Sequence, residues 1–444
     1  MKILITTQID GVGHVINLAR FGVILKRRRH EVIFAHRKFY RSIVEKCSLD
    51  FLELDENAFG EVGPKIHTEL INLVGKYSFL QPVRAIESLL NDGFFEPSFL
   101  SFFVPKAVLM SDTALREALQ KVPNYDLLVI DQSNFKLPVL LEENIPHVDI
   151  YPSNPLVLHE RGFPWGGFSE NTSSESSKVF KQMLDKVMKA ISGSIKHFYL
   201  KSDGECGHQF HLKPKYLGFY HYPESLDYHN LKPALDNYER IDSLVIDADD
   251  GNGFCFPEKL QDKPGKLIFF SIGTIASGCG DTMNDILEVL AASPNRFIVT
   301  MGGNTTSDYQ PDKYDNLWLC DFVDQLAVLK QVDLIIFHGG NNTMMEALYF
   351  GVPMIIVPQF LDQLDNAQRV EDKKIGRRMF RWEFDAAKLL DMIEDVLLDE
   401  QIHKNVAEMS SSMRSSRSAD RAVDLIEEFH SKLCDNGQVK KSSL

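Results

Sequence analysis

The chain has 444 residues, with 48 lysines and arginines against 62 aspartates and glutamates, and therefore a formal net charge of −14. The composition is that of a globular protein, and the length predicts two or three domains with their own cores. The acidic balance argues against broad binding to nucleic acid or to an anionic membrane, since both need a basic surface. A small anionic ligand is compatible with this charge if backbone dipoles hold it.

The cysteine pattern and the short apolar runs predict a cytoplasmic protein. The 6 cysteines are scattered without a Cys-x-x-Cys pair, which is typical of reduced thiols. Gln8 and Asp10 interrupt the first apolar run, so it is too short for a signal peptide. The nearest candidate for a membrane span, from Phe94 to Met110, contains two prolines, a glutamate and a lysine. We therefore expect no membrane span and no anchor.

Short apolar runs alternate with helical periodicity, which is the βαβ pattern of parallel sheets flanked by helices. In the first half, strands are predicted at 3–6, 32–35, 127–130 and 147–150. The first helix is predicted from His14 to Arg28, where apolar residues recur at helical spacing and arginines close the last turn. From about 236 to 265 the periodicity gives way to Asp, Gly, Asn and Pro, which indicates an interdomain linker.

The pattern restarts after the linker. Strands are predicted at 267–271, 297–300, 334–337 and 354–357, with helices near 282–292, 343–350, 362–372 and 420–433. Serine-rich segments at 168–178 and 410–418 are predicted to be loops or helix junctions. The chain is therefore predicted to fold as two doubly wound α/β domains, 1–235 and 266–415, with a C-terminal helix and tail at 416–444. In such folds a ligand binds at the carboxyl ends of the strands.

The most informative segment follows the predicted strand 334–337, where His338 precedes Gly-Gly-Asn-Asn-Thr and a predicted helix. Glycines let the backbone approach a ligand closely, and the free N–H groups of a new helix form an anion site. His338, Asn342 and Thr343 would add side-chain donors, so a pyrophosphate could be bound without a lysine. Thr343 and Glu346 are also spaced as a capping box, which would give both a purely structural role.

A second polar pair, Asp362 and Gln363, follows the predicted strand 354–357. Together with the segment from His338 to Thr343, Glu346 and Gly351-Val-Pro, this pair resembles the donor-binding signature of the UDP-glycosyltransferases of family 1. That family has the GT-B fold, in which two Rossmann-like domains face each other across a cleft. The resemblance is weakest in the first half, where the family binds its acceptor.

The resemblance implies a role for each residue of a donor site. Phe322, beside Val323, would stack on uracil, and Gln325 would contact the base or the ribose. Glu346 would accept from the ribose hydroxyls, and Asp362 and Gln363 would bind the sugar hydroxyls. The diphosphate would be held by Thr274, His338, Asn342 and Thr343, and Gly13 and Gly340 would also belong to the donor site. The family has Trp-x-Pro-Gln where this chain has Phe-Val-Asp-Gln at 322–325, so the stacking face is smaller.

The N-terminal segment Asp10-Gly-Val-Gly-His14 lacks the third glycine of a dinucleotide fingerprint, so this kind of site is not predicted. By resemblance to the family, His14 would be the catalytic base, with Asn17 in place of the family's proline. Such a base needs a partner that fixes its tautomer. Asp131, at the end of a predicted strand, is favoured over Asp126, which opens it. A turn-capping role for Asp131 is the alternative.

Three other patterns are interpreted as structural. Asp247-Ala-Asp-Asp has the spacing of a metal site but falls in the predicted linker, and Cys206-Gly-His-x-x-His211 lacks a second pair of ligands. The Phe-rich stretch 94–103 is interpreted as core packing, with the wall of an apolar acceptor pocket as the alternative. We expect no metal and no cofactor, because the UDP-sugar would be a co-substrate.

The sequence thus predicts an inverting UDP-dependent hexosyltransferase, with glucose as the first choice of sugar. The acceptor would be a hydroxyl of a small lipophilic molecule, such as a flavonoid, macrolide or sterol. Glucuronate is disfavoured because no arginine is evident as a carboxylate partner. Two alternatives stay open: a non-catalytic UDP-sugar-binding protein or partner subunit, and a UDP-sugar epimerase that acts without an acceptor.

Overall fold

The structure is a computed structural model. It describes residues 1–8, 11–55, 84–85, 88, 97–131, 137–142, 145–159, 166–167, 175, 178–186, 189, 216–231, 237–247, 256–271, 280–302, 313–383 and 385–437.

Within these residues, the first domain is built on seven parallel strands in the order β3-β2-β1-β4-β5-β6-β7. The strands are β1 (Lys2–Thr7), β2 (Glu31–His36), β3 (Asp50–Glu53), β4 (Leu127–Asp131), β5 (His147–Tyr151), β6 (Leu217–His221) and β7 (Tyr238–Ile241). The helices described in this domain are α1 (Val12–Arg27), α2 (Arg41–Lys46), α3 (Pro97–Lys121) and α4 (Pro138–Glu142). The strand order reverses between β1 and β4, which places a crevice at their carboxyl ends.

The described part of the second domain has six parallel strands in the order β10-β9-β8-β11-β12-β13. They are β8 (Leu267–Ser271), β9 (Arg296–Thr300), β10 (Leu317–Cys320), β11 (Leu334–Phe337), β12 (Met354–Ile356) and β13 (Gly376–Arg378). The helices are α5 (Glu258–Gln261), α6 (Gly280–Ala291), α7 (Gln325–Leu329), α8 (Asn341–Phe350), α9 (Asp362–Asp372), α10 (Ala386–Leu398) and α11 (Glu400–Ser415). The order reverses between β8 and β11, so α8 begins at the second crevice.

The central strands of both sheets are buried on both faces. All five residues of β4 and all four of β11 are buried. A parallel sheet covered by helices on two sides requires such continuous apolar runs, because no strand face meets water. The two doubly wound domains predicted from these runs are confirmed.

The last helix, α12 (Ser418–Asp435), returns to the first domain. Ala422, Val423 and Ile426 lie in the same hydrophobic core as β1 and α1. Arg28 at the end of α1 binds Asp424 and Glu427 of this helix at 2.7 and 2.9 Å. The serine-rich segment 410–418 is mostly helical, and only residues 416–417 separate α11 from α12.

The segment 236–265, predicted to be the linker, contains two regular elements. β7 (Tyr238–Ile241) pairs with β6 in the first sheet, and α5 contributes Leu260 to the core of the second domain. The sheet of the first domain therefore extends to Ile241, beyond the boundary predicted at residue 235. β7 lies at the edge of the sheet with only one fully buried residue, so its sequence lacks an apolar run.

Candidate functional site

The first part of the site lies where β1 and β4 end side by side. His14 is in the first turn of α1, and its Nδ1 lies 2.5 Å from Oδ2 of Asp131, the last residue of β4. The hydroxyl of Thr7, at the end of β1, donates to the same oxygen at 3.1 Å. Asp126 accepts from the backbone N–H of Lys2 at the opposite end of the sheet. The structure thus brings His14 together with Asp131 and not with Asp126.

This environment tunes the protonation of His14. Burial lowers its pKa, but the charge and hydrogen bond of Asp131, with a further contribution from the charge of Asp362, raise it more. The pKa of His14 therefore lies above the ordinary value of 6.5. Because Nδ1 faces Asp131, Nε2 is the nitrogen left to exchange a proton with another molecule. The side chain of His14 is 22% exposed, whereas Asp131 is fully buried.

Asp362 approaches this pair from the second domain, as the first residue of α9. Burial raises its pKa above the ordinary value, and the backbone N–H of Asn154, which donates to it at 3.3 Å, lowers it in part. Leu361, just before it, has φ 51° and ψ −135° and is 45% exposed. Such a backbone costs of the order of 1–3 kcal/mol for a residue other than glycine. The strained turn leads directly into the start of α9, where Asp362 contacts the first domain through Asn154.

The second part of the site is the N-terminus of α8. Gly339 has φ +89°, and Gly340 is the N-cap without a side-chain hydrogen bond to the first-turn amides. These amides belong to Asn341, Asn342 and Thr343, and the first turn of a helix is a place where an anion can bind. The helix begins two residues earlier than predicted. Thr343 is therefore inside the helix, and its interpretation as the N-cap of a capping box is wrong.

His338 lies against this turn and is half-buried. Burial lowers its pKa to about 4, so the imidazole is neutral at pH 7. A Cβ at Gly340 would lie 2.6 Å from its Nε2, which is closer than real contacts allow. Glycine at position 340 thus makes room for the ring, and His338 can act toward an anion as a neutral donor.

We expect Gly340→Ala to destabilise the fold by about 1–3 kcal/mol, because the added methyl group displaces the half-buried ring of His338. Urea unfolding of the purified protein measures this loss. Gly13→Ala is the matched control, since a Cβ there would meet nothing within 4 Å, and alanine is favoured inside a helix. Equal stability of the two variants would contradict the packing described for His338.

Four of the residues predicted to bind the donor form one cluster on α7 and α8. The Oε1 atom of Glu346 accepts from Nη1 of Arg20 at 2.6 Å and from Nδ2 of Asn342 at 2.9 Å. The side-chain amide of Gln325 donates to Oε2 of Glu346 and, at 3.2 Å, to the hydroxyl of Thr343. Glu346 is only 2% exposed. Its carboxylate is thus held in a fixed orientation at the start of α8.

Arg20 was not predicted, although a signal for it was present in the sequence. Helix α1 carries three polar residues at intervals of three, His14, Asn17 and Arg20, within an otherwise apolar run. Residues at this spacing lie on adjacent turns, so the three form a polar stripe. Asn17 and Arg20 are both buried, and Asn17 is hydrogen-bonded to Nδ1 of His221 at 2.8 Å. The expectation that no arginine lies near the site is therefore wrong, although this guanidinium is paired with Glu346.

The remaining predicted residues are placed as follows. Phe322 lies between β10 and α7 with 68% of its surface exposed, and Val323 packs partly on the core of the second domain. Gln363 is buried, and its Oε1 accepts from the backbone N–H of Gln359 at 3.0 Å. Gly13 is the second residue of α1. Thr274 lies outside the described residues.

Side chains of both domains meet beneath the site. Nδ2 of Asn341 donates to the carbonyl oxygens of Pro152 at 2.8 Å and His221 at 3.2 Å. Nδ2 of Asn154 donates to Oδ1 of Asn366 at 2.7 Å. All of these groups are buried, so the hydrogen bonds form without competition from water. They hold the His14 side of the cleft next to the start of α8 and α9.

Among the described residues, no group of three or more His, Cys, Asp or Glu side chains is arranged to hold a metal ion, and no helix is long and apolar enough to cross a membrane. Asp247 forms an ion pair with Lys330 at 2.5 Å. Asp249, Asp250 and the segment Cys206–His211 lie outside the described residues, as do the phenylalanine side chains of 94–103.

Part of the chain is similar in sequence to known proteins. Residues 227–430 match the family model described as UDP-glucoronosyl and UDP-glucosyl transferase. Among curated proteins, the chain is similar to NDP-glycosyltransferase YjiC of Bacillus subtilis, with 28% identity over 45% of this chain and 47% of that protein. It is also similar to demethyllactenocin mycarosyltransferase of Streptomyces fradiae, with 29% identity over 36% and 35%. The matched region thus spans less than half the length of these relatives.

Solved structures resemble the chain over nearly its whole length. The glycosyltransferase of kitacinnamycin superimposes with a TM-score of 0.64 at 17% identity and covers 96% of this chain and 98% of its own. The calicheamicin glycosyltransferase CalG4 superimposes with a TM-score of 0.61 at 15% identity, over 98% and 99%. At such identities the likeness shows the fold, which is the GT-B fold of two Rossmann-like domains. Residues 227–430 of the chain are thus similar to the UDP-glucoronosyl and UDP-glucosyl transferase family.

Proposed function

We propose that the protein is an inverting glycosyltransferase that moves a hexose from a UDP-sugar to a hydroxyl of a small lipophilic acceptor. The observation that carries the proposal is the contact of 2.5 Å between His14 and Asp131 at the cleft, with Asp362 of the second domain close enough to raise the pKa of His14. A histidine held by a buried carboxylate is the arrangement that general-base catalysis requires.

In this mechanism His14 is the base. Nε2 removes the proton of the acceptor hydroxyl while the oxygen attacks the anomeric carbon of the sugar. Asp131 keeps the other ring nitrogen protonated and stabilises the imidazolium that forms. The nucleophile attacks from the side opposite the departing UDP, so the configuration at the anomeric carbon inverts. The bond from the anomeric carbon to the diphosphate breaks as the bond to the acceptor forms.

The leaving group is stabilised by the start of α8. In this proposal the first-turn amides of residues 341–343 bind the diphosphate, and the helix dipole adds to their effect. His338 donates a hydrogen bond as a neutral imidazole, because its pKa is about 4. Side chains of Asn342 and Thr343, and Thr274, complete the diphosphate site in this proposal. Preorganised donors of this kind stabilise the charge that develops on UDP.

In this proposal three groups of residues bind the uracil, the ribose and the sugar of the donor. Phe322 provides an exposed ring for uracil, with Val323 beside it and Gln325 at the start of α7. Glu346 accepts from the ribose. Asp362 and Gln363, at the start of α9, bind the sugar hydroxyls, and UDP-glucose is the donor that we propose first. Macrolide-, flavonoid- and sterol-like alcohols are the acceptors that we propose, since two relatives are named as an oleandomycin glycosyltransferase and a demethyllactenocin mycarosyltransferase.

Incubation with UDP-glucose, UDP-galactose and UDP-glucuronate, each with a panel of such alcohols, tests the proposal. We expect mass spectrometry to show addition of one glucose to at least one acceptor, and proton NMR of the product to show the inverted anomer. UDP binding in calorimetry without any product would favour the non-catalytic alternative. Conversion of one UDP-sugar into another without an acceptor would favour an epimerase, and a retained anomeric configuration would overturn the mechanism.

A further inference from the structure

Arg20 is a buried charged residue to which the proposed mechanism gives no role. Arg20 is 8% exposed and lies on α1 of the first domain, while its partner Glu346 lies on α8 of the second. Their ion pair of 2.6 Å therefore crosses the boundary between the two domains. Arg20 also donates from Nη1 to Oδ1 of Asn342 at 3.3 Å, so it contacts two residues of α8 one turn apart.

Stability alone is a weak reason for such a pair. Removing two charges from water is costly, and apolar side chains of similar volume often replace a buried ion pair without loss of stability. An ion pair also fixes the relative orientation of its two side chains, because a guanidinium and a carboxylate bind each other in only a few geometries. Glu346 is itself oriented by Gln325 and Asn342. Residues of the second domain therefore fix the orientation of the Arg20 side chain.

Arg20 and His14 share one rigid helix. They are separated by six residues, which corresponds to a rise of about 9 Å along α1. When Arg20 is fixed against α8, the position of His14 along α1 and its rotation about the α1 axis are therefore also fixed relative to α8. The N-terminus of α8 is the proposed anion site, so this contact, together with the hydrogen bonds of Asn341 and Asn154, sets the position of the base relative to the leaving group.

We propose that Arg20 is a positioning residue, which ties the helix of the base to the helix of the donor site through Glu346. Glu346 has a second task in this arrangement. A carboxylate can accept about four hydrogen bonds, and Arg20, Asn342 and Gln325 already supply three. One position is left for a ribose hydroxyl, so a bound nucleotide contacts the carboxylate that holds Arg20. Donor binding and the placement of His14 are then coupled. This inference rests on the function proposed above.

The test is a double-mutant cycle of Arg20→Met and Glu346→Gln, with Arg20→Lys as the conservative variant. UDP affinity is measured by calorimetry, kcat and the acceptor KM by transfer assays, and Tm by thermal unfolding. We expect Arg20→Met to lower kcat by roughly 10- to 100-fold with the acceptor KM nearly unchanged, since a misplacement near 1 Å has effects of this size. Lysine should restore part of kcat. In the double variant, the loss of kcat should be smaller than the product of the two single losses.

Arg28→Met is the matched control. Arg28 closes the same helix and also binds two carboxylates, but these belong to α12, which packs on the first domain. Its loss should leave kcat unchanged. If Arg20→Met unfolds, Arg20→Lys and the double variant, which buries no unpaired charge, still test the proposal. Unchanged kcat in folded Arg20 variants, or losses that simply multiply, would overturn it. Wild-type protein that binds no UDP would instead refute the proposed function itself.

Discussion

Replacement of His14 by alanine is expected to lower kcat by roughly 10²- to 10⁴-fold, which is the usual contribution of a general base. The affinity for UDP should stay nearly unchanged, because the first-turn amides of α8 and His338 lie on the other domain. The fold should also persist, since His14 is partly exposed and no apolar core depends on its ring. Single-turnover transfer assays and calorimetry with UDP measure the two quantities separately.

A control distinguishes this role from a general effect of losing a histidine. His403→Ala removes an exposed imidazole of α11, which contacts only a backbone carbonyl in the described structure. It should leave both kcat and UDP affinity unchanged. Full activity of His14→Ala would show that another group removes the acceptor proton.

Replacement of Asp131 by asparagine is expected to lower kcat by a similar factor and to shift its pH dependence. An amide can donate toward Nδ1 of His14 and so favour the wrong tautomer, and it carries no charge to stabilise the imidazolium. His14 acts as a base only when Nε2 is unprotonated, so activity rises as pH increases through its pKa. Asp131 raises this pKa, whereas burial lowers it. Without the carboxylate the pKa falls, and the acid limb of the profile moves to lower pH.

The pH profiles of kcat for the wild type and Asp131→Asn test this sign directly. The wild-type limb should lie above the ordinary histidine value of 6.5, and the limb of the variant should lie below that of the wild type. The free energy of unfolding also depends on the protonation of His14. Protonated His14 stabilises the fold below about pH 6.5, and this contribution is lost as pH rises through the folded-state pKa. A limb that moves to higher pH in the variant would contradict the role of Asp131.

The buried centre of each sheet could be predicted from sequence because its signal is local. β8 and β11 were predicted with their observed bounds, since a strand covered by helices on both sides must be apolar throughout. Five strands were missed: β3, β6, β7, β10 and β13. All except β6 are edge strands, and β13 reads Gly-Arg-Arg, without any apolar run. Their pairing with a neighbouring strand, which sequence patterns do not show, makes them part of the sheet.

The same distinction applies to the candidate site. Asp131 and the polar pair 362–363 could be proposed from their position after apolar strands, because strand ends of a doubly wound sheet meet at one edge. The ion pair of Arg20 with Glu346 joins residues of different domains, 326 positions apart by number (346 − 20). No local pattern encodes such a contact. The polar stripe on α1 indicated that its residues face a polar surface, but not which residues they meet.

The most direct test of this account is a crystal structure of the protein with UDP bound. We expect the diphosphate to lie within about 3 Å of the first-turn amides of α8, with Nε2 of His14 facing the gap between the domains and Nδ1 still on Asp131. A diphosphate bound away from α8, or an imidazole turned out of the cleft, would contradict the central claim that these two groups act on the same substrate.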